Sequence, residues 1–188
     1  RMYFLKNYYQ SVIQYDLINK FQYKNLQNLP KLQKIVLNFG YKDFKILASS
    51  LLSLEFITTK RGTVTIANNS HILLKIRKGN PAGCKVILKK TLMYHFFTKL
   101  LVDVFPQMKE FQKFNLQFFL FQPHTFSYQL KNTLNFFELE QNYNLFSSLS
   151  NLNITIVTNT KTHKELLFLL NSFKFSINFK LCERNSIG

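Results

Sequence analysis

The 188-residue sequence has no tryptophan, only two cysteines, four prolines and five glycines. Cys84 and Cys182 are too few for a disulfide framework, and too few for a structural zinc site, which takes four nitrogen or sulfur ligands. A reducing compartment suits them. Acidic side chains are scarce as well: 9 Asp and Glu stand against 25 Lys and Arg, giving a formal net charge of +16 and a pI near 9.9. Such an imbalance repels itself in a compact state and calls for a polyanionic partner, nucleic acid or an anionic membrane surface. No uncharged apolar run reaches the ~18 residues of a membrane span. The nearest stretch, 114–130, is interrupted by Gln117, Gln122, Pro123, His124 and Gln129. No signal peptide is expected either, because Lys6, Asn7 and Gln10 break the N-terminal region.

What is abundant is apolar and aromatic: 46% hydrophobic residues, with 21 Phe and 9 Tyr. That excludes a disordered basic tail and provides the core of one domain over residues 1–188. Phe, Tyr, Asn and Lys displace Gly, Ala, Pro and Arg, as they do where codons are A/T-rich. An organellar genome is the leading source, and a protein made inside an organelle needs no transit peptide.

Hydrophobic periodicity places the elements. Residues 3–21 predict an amphipathic helix through Tyr8, Val12, Ile13, Leu17 and Phe21. A strand over 34–39 follows, with Ile35, Leu37 and Phe39 on one face and Lys34, Val36 and Asn38 on the other. Phe44, Leu47, Leu51 and Leu54 predict a second helix. Residues 64–66 and 71–76 read as strands, and 71–76 is expected to pair with 85–89 as a hairpin around the turn-rich Gly79–Gly83. Residues 91–104 predict a helix closed by Pro106. Residues 114–153 read as one or two strands with irregular connections, 153–158 as a last strand. Thr162 and Glu165 form a capping box for a final helix through Phe173. The fold class is therefore α+β: a twisted, mainly antiparallel sheet with helices packed on one face, the RNA-facing sheet falling within about 34–90.

Between Glu55 and Asp103 there is no acid, yet Lys60, Arg61, Lys75, Arg77, Lys78, Lys85, Lys89, Lys90 and Lys99 lie there. Strand alternation predicts one greasy sheet face and one basic face, the footprint of a phosphate-binding surface. Enzymatic readings fare poorly. Gly79-x-x-x-Gly83-Cys84-Lys85 misses a phosphate-cradling loop in glycine spacing, in the intrusion of Cys84, and in Val86 where a magnesium-binding hydroxyl belongs. Lys85 beside Cys84 invites a lowered thiol pKa, but no histidine stands in a catalytic pattern with it. His95 reads as a partly buried helix residue, and Glu138 with Glu140 as solvated carboxylates. No enzyme, cofactor or metal site is expected. A peripheral membrane protein ranks second to an RNA-binding protein, and an RNA-modifying enzyme last.

The residues Leu29-Pro-Lys-Leu-Gln-Lys-Ile-Val-Leu-Asn-Phe-Gly40, Lys75-Ile-Arg-Lys-Gly-Asn-Pro-Ala-Gly-Cys-Lys-Val86 and Met93-Tyr-His-Phe-Phe97 resemble the large-subunit ribosomal protein five family. Tyr8-Tyr9, Phe21-Gln-Tyr23, Pro106, Phe111, Asn153-Ile-Thr-Ile156, Leu169, Leu170 and Phe173 extend the likeness over nearly the whole chain. The resemblance implies a ribosomal protein that binds 5S and large-subunit rRNA in the central protuberance. It also implies transient contact with peptidyl-site tRNA, an intersubunit bridge to small-subunit protein thirteen, and neighbouring protuberance proteins, without membrane insertion. Lys60, Arg61, Lys75, Arg77, Lys78, Lys85 and Lys89 are the implied phosphate contacts, and Asn38 a directional polar one. Ala67, Asn68, Asn69, Ser70 and His71 form the implied tRNA-proximal loop.

Departures accompany the likeness. Lys60 stands for a family glutamine and Ile87 for a threonine, both tied to the 5S contact. The loop from Ile66 to Ser70 lacks the usual charges, and Gln129-Leu-Lys-Asn132 replaces a glycine-containing segment. With the codon bias, the setting implied is the mitochondrial matrix and its ribosome, a plastid-type ribosome second.

Overall fold

A computed structural model describes residues 4–23, 25–40, 44–70, 72, 76–108 and 122–174. Five strands form one antiparallel sheet: β1 (Leu32–Gly40), β2 (Thr63–Ile66), β3 (Pro81–Leu88), β4 (Thr125–Leu130) and β5 (Leu152–Thr158), in the order β2-β3-β1-β5-β4. With its helices this is the α+β fold read from the sequence.

The N-terminal helix α1 runs through Phe4–Tyr8, a π-helical turn at Tyr9–Ile13, and Gln14–Phe21. Its buried side chains are Leu5, Tyr9, Ile13 and Leu17, every fourth residue. Steps of four overshoot a 3.6-residue turn, and the wider π turn absorbs the drift, keeping one stripe inward. Tyr8, Val12 and Phe21, predicted to line that stripe, sit half-buried or exposed.

The helix α2 (Phe44–Thr58) buries Leu47, Leu54 and Ile57, and also Ser50 and Ser53. Both serines satisfy themselves by donating to helix carbonyls, Ser50 to Leu47 and Ser53 to Ser50, each at 2.8 Å. The helix α3 begins at Lys90–Lys99 and continues through a π turn at Leu100–Val104 into Phe105–Gln107. Pro106 does not stop it at 104 as predicted: the widened turn before the proline accommodates the missing donor.

Of the one or two strands expected over 114–153, β4 is one; after it the connection to β5 holds two short helices, α4 (Phe137–Glu140) and α5 (Tyr143–Phe146), that the sequence did not suggest. The C-terminal helix α6 (His163–Ser172) has the predicted capping box: the Thr162 hydroxyl accepts from the Glu165 backbone, and the Glu165 side chain accepts from Thr162. Thr162→Ala is expected to cost about 1 kcal/mol, read as a lower urea midpoint at unchanged m-value.

The predicted hairpin is repaired differently. β3 starts at Pro81, which needs no ladder donor at a strand end, and its partner is β2, with Thr63 opposite Lys85 and Val64 opposite Cys84. The loop between them is closed by Ala67–Asn80 and Gly79–Ala67 backbone bonds of 2.9 Å. Of the expected strand 71–76, residues 71 and 73–75 lie outside the described residues, Ile72 is in a turn and Ile76 makes an isolated bridge. The expected elements over 114–121 likewise lie outside them.

Helices cover one sheet face. Ile35, Leu37 and Phe39 of β1, Cys84, Val86 and Leu88 of β3, and Leu152, Ile154 and Ile156 of β5 are buried there. Phe173 after α6 stacks on Tyr9 of α1 at 6.2 Å and meets Phe97 of α3 edge-on at 5.4 Å, tying the chain ends into one core.

Candidate nucleic-acid interface

On the opposite sheet face, the outward side chains are fixed by strand parity. Residues one register position away from the buried set must point outward. Across all five strands one row reads Thr63, Lys85, Asn38, Asn153, Gln129, each directly paired with the next. At the ordinary strand spacing it spans about 19 Å. The next row reads Ile87, Val36, Thr155, Ser127, with the Ser127 and Thr155 hydroxyls hydrogen-bonded at 3.1 Å. Lys34 lies beyond, opposite Val157. A shallow groove of about 650 Å³ follows these rows, lined by Val36, Asn38, Thr65, Lys85, Ser127, Gln129, Asn153 and Thr155 among others.

None of the five strands contains an aspartate or glutamate. Among the described residues the open face is therefore free of anions, and Arg77 and Lys89, which alternation placed on it, lie in a loop and past the end of β3. Its charges among the described residues are Lys34 and Lys85, set among hydroxyls and amides. Two lysines carry little charge for a phosphate-binding face, whereas the many directional donors and acceptors are of the kind that suits ribose and base edges.

The sequence-derived residues separate into groups. Asn38 and Lys85 are cross-strand partners in the middle of the groove. Lys60 follows α2, and its amine donates to the Ile87 carbonyl at 2.7 Å, covering the edge of β3 beyond the end of β2. Arg61 is 94% exposed and approaches Glu55 at 3.9 Å, a loose surface pair. Lys89 is exposed at the N-cap of α3, past the last residue of β3.

Arg77 and Lys78 are not on the sheet at all. They are exposed on the β2–β3 loop, where the Lys78 backbone donates to the Ser70 hydroxyl at 3.1 Å. They thus join Ala67, Asn68, Asn69 and Ser70, and give cations to a loop that looked stripped of charge. Lys75 and His71 lie outside the described residues.

Sequence reasoning missed Asn153, Thr155, Ser127 and Gln129. The signal was present in the alternation Asn153-Ile-Thr-Ile-Val157, whose polar members face away from the core. What the pattern lacked was the neighbour: β5 pairs with β1, more than a hundred residues earlier.

Among the described residues no catalytic arrangement assembles. Cys84, a candidate for a lowered thiol pKa, is buried against the helix layer, where its thiol donates to the Ser50 hydroxyl at 3.2 Å. Burial pushes the thiol up, overturning that expectation. Cys84 is accordingly expected to resist iodoacetamide at pH 8 in the native protein and to label on unfolding, checked by peptide mass mapping. His95 is exposed rather than partly buried. Glu138 is no solvated carboxylate: it forms an ion pair with Lys99, whose amine also donates to the Ile57 carbonyl. Among the described residues no three His, Cys, Asp or Glu side chains gather as a metal site, and no helix is long and apolar enough to cross a membrane.

A family model described as the ribosomal L5P family C-terminus matches residues 81–177. The large ribosomal subunit protein uL5m of Reclinomonas americana is 38% identical over 178 residues, covering 93% of this chain and 97% of that protein. The chain belongs to the ribosomal L5 family. Two bacterial members, both large ribosomal subunit proteins uL5, agree: that of Nitrosomonas europaea is 34% identical over 175 residues, with 91% of this chain and 96% of the relative covered. That of Blochmanniella floridana is 31% identical over 177 residues, 92% of each. The family is one of structural ribosomal proteins, not enzymes. The match to the C-terminal family segment starts at Pro81, the first residue of β3, and so includes Lys85 and all of β4 and β5 but not β1 or β2.

Proposed function

We propose that the chain is a structural constituent of the large subunit of a mitochondrial ribosome and binds rRNA with the open face of its sheet. The carrying observation is the acid-free sheet with its register-aligned row of Lys85, Asn38, Asn153 and Gln129. In this reading Lys34 and Lys85 neutralise phosphates. Lys60, Arg61 and Lys89 extend that contact at the margin, and Asn38 and the other amides hydrogen-bond to sugar or base edges. Lys75 belongs to the same contact. The RNA is 5S rRNA where the particle has it, together with large-subunit rRNA, in the central protuberance.

The exposed loop residues Asn68, Asn69, Ser70, Arg77 and Lys78, together with Ala67 and His71 of the implied tRNA-proximal set, contact peptidyl-site tRNA, and the chain joins the bridge to small-subunit protein thirteen. Residues 1–188 act as one domain, in keeping with a single buried cluster that runs from Leu5 to Phe173. The mitochondrial setting draws on the uL5m relative; the bacterial relatives leave a plastid ribosome as the alternative.

The test is to sediment the intact particle and identify the RNAs that travel with the protein. Co-sedimentation with large-subunit rRNA, and release by RNase as well as by high salt, is the expected result. Release by salt but not by RNase, with membranes in the protein-bearing fraction, overturns it.

A further inference from the structure

The outer edge of the sheet at β2 is guarded along one stretch and open along the next. β2 is a terminal strand, with β3 on one side and, among the described residues, no strand on the other. Which backbone groups face outward follows from alternation. The Lys85 carbonyl accepts from the Thr63 hydroxyl at 3.2 Å and the Ile87 carbonyl from the Lys60 amine, so both carbonyls point out of β3 on the β2 side. Thr63 and Thr65 accordingly turn their backbone groups to β3, as Ala67 does in bonding to Asn80. Val64, between them, turns its N–H and C=O away from the sheet.

Lys60 thus occupies the edge at Ile87, whereas Val64 has no such cover among the described residues. Natural edges are commonly blunted by charge, proline or a bulge. β2 reads Thr-Val-Thr-Ile, without charge or proline, and its bulge falls after Thr65, leaving Val64 in register. Apolar surface accompanies the open backbone: Val64 is 44% exposed, Ile66 64%, and Ile72 in the turn beyond 92%. Cations stand at both ends, Arg61 before the strand and Arg77 and Lys78 after it, all exposed. Glu55 offsets only Arg61, and loosely.

RNA answers the cations but has little to set against three aliphatic side chains. A lipid surface leaves both outward backbone groups unsatisfied. A second copy of this chain brings its own net charge of +16 against the same cations. An extended protein segment bonds to both backbone groups, and one with alternating apolar and acidic side chains also suits the isoleucine and the flanking charges.

We propose that the outer edge of β2 receives an extended, acidic segment of another protein as an additional strand. Its backbone pairs with Val64, its apolar side chains lie against Val64 and Ile66, and its carboxylates reach Arg61 at one end and Arg77 or Lys78 at the other. The ribosomal reading enters only as the particle in which the proposal is tested.

The test places the photo-crosslinker p-benzoylphenylalanine at the exposed Ile66 position. Intact particles carrying the variant chain are irradiated, digested with RNase and analysed by mass spectrometry. The expected product is a crosslink to one other protein, through a peptide of net negative charge. Adding Val64→Pro removes the outward donor and leaves the ladder to β3 in place, so the yield should fall about tenfold. Adding Val64→Ala keeps the donor and should lower the yield much less. In parent particles, amide hydrogen exchange over residues 63–67 should be at least about tenfold slower than in the free chain.

Crosslinks to RNA, to lipid, to a second copy, to the chain itself or to a peptide of net positive charge overturn the proposal. So does the lack of any crosslink in particles that contain the chain, and so do equal yields from the proline and alanine variants. Should the proline variant stay out of particles, the parent decides: unchanged exchange over residues 63–67 overturns the proposal, and slowed exchange with the acidic crosslink upholds it. A chain that fails to sediment with rRNA at all sinks the ribosomal reading instead, so the two failures are told apart.

Discussion

Gly83→Ala is expected to destabilise the protein by about 3 kcal/mol, while Gly40→Ala stays within about 0.5 kcal/mol of the parent. The two glycines face each other across β1 and β3, yet their surroundings differ. A Cβ at Gly83 overlaps the carbonyl oxygen of Phe39, a backbone atom in the centre of the sheet, whereas one at Gly40 meets nothing within 4 Å. A side chain in the way can change rotamer; a carbonyl cannot. Relief at position 83 must therefore move β3 away from β1, stretching the ladder and opening the core beneath Phe39 and Cys84. A loss of that size is a large part of the 5–15 kcal/mol typical of a domain. Urea unfolding of both variants checks it, the midpoint of Gly83→Ala falling at unchanged slope. Equal midpoints would contradict the close approach.

Lys85→Glu is expected to leave folding intact and to lower affinity for the cognate rRNA by about tenfold or more. A phosphate contact is lost and a like charge is added. Lys85 is exposed and lies at the centre of the polar row, beside Asn38 and Thr63, with no acid elsewhere on the sheet to cushion the change. The slope of log affinity against log salt should shrink by roughly one unit. Lys164→Glu, the same change on α6 on the helical side, should alter the slope much less. Binding titrations between low and moderate salt check both. If the two reversals prove equivalent, net charge governs binding and the sheet face has no special part.

Much of the fold was legible because local patterns carried it. Ile35, Leu37 and Phe39 alternate in β1, and Thr162 with Glu165 announces α6; both follow from neighbours a few residues apart. Long-range choices were not legible. The turn chemistry at Gly79–Gly83 argued for pairing with 71–76, but the ladder formed with Thr63–Ile66, and Pro81 and Gly83 became strand residues. Pairing of that kind is decided by which strand buries its apolar face, information that no single segment holds.

The candidate site divides the same way. Asn38 and Lys85 were found from their own strands. Asn153, Thr155 and Gln129 were not, because only the β1–β5–β4 pairing brings them beside Asn38. Alternation put Arg77 on the sheet face, but it and Lys78 lie in the β2–β3 loop, because the hairpin that would have carried the alternation forward did not pair that way. Among the described residues the sheet's open face carries two lysines, Lys34 and Lys85, and the emphasis moves to hydrogen-bonding side chains.

Ultraviolet crosslinking of the intact particle, with mapping of every RNA-bound peptide, bears most directly on the sheet face as the RNA contact. Crosslinked peptides should come from β1, β3 and β5, centred on Asn38, Lys85 and Asn153, and be absent from α4 and α5. RNA adducts confined to the helical side, with those three strands unmodified, would contradict the account.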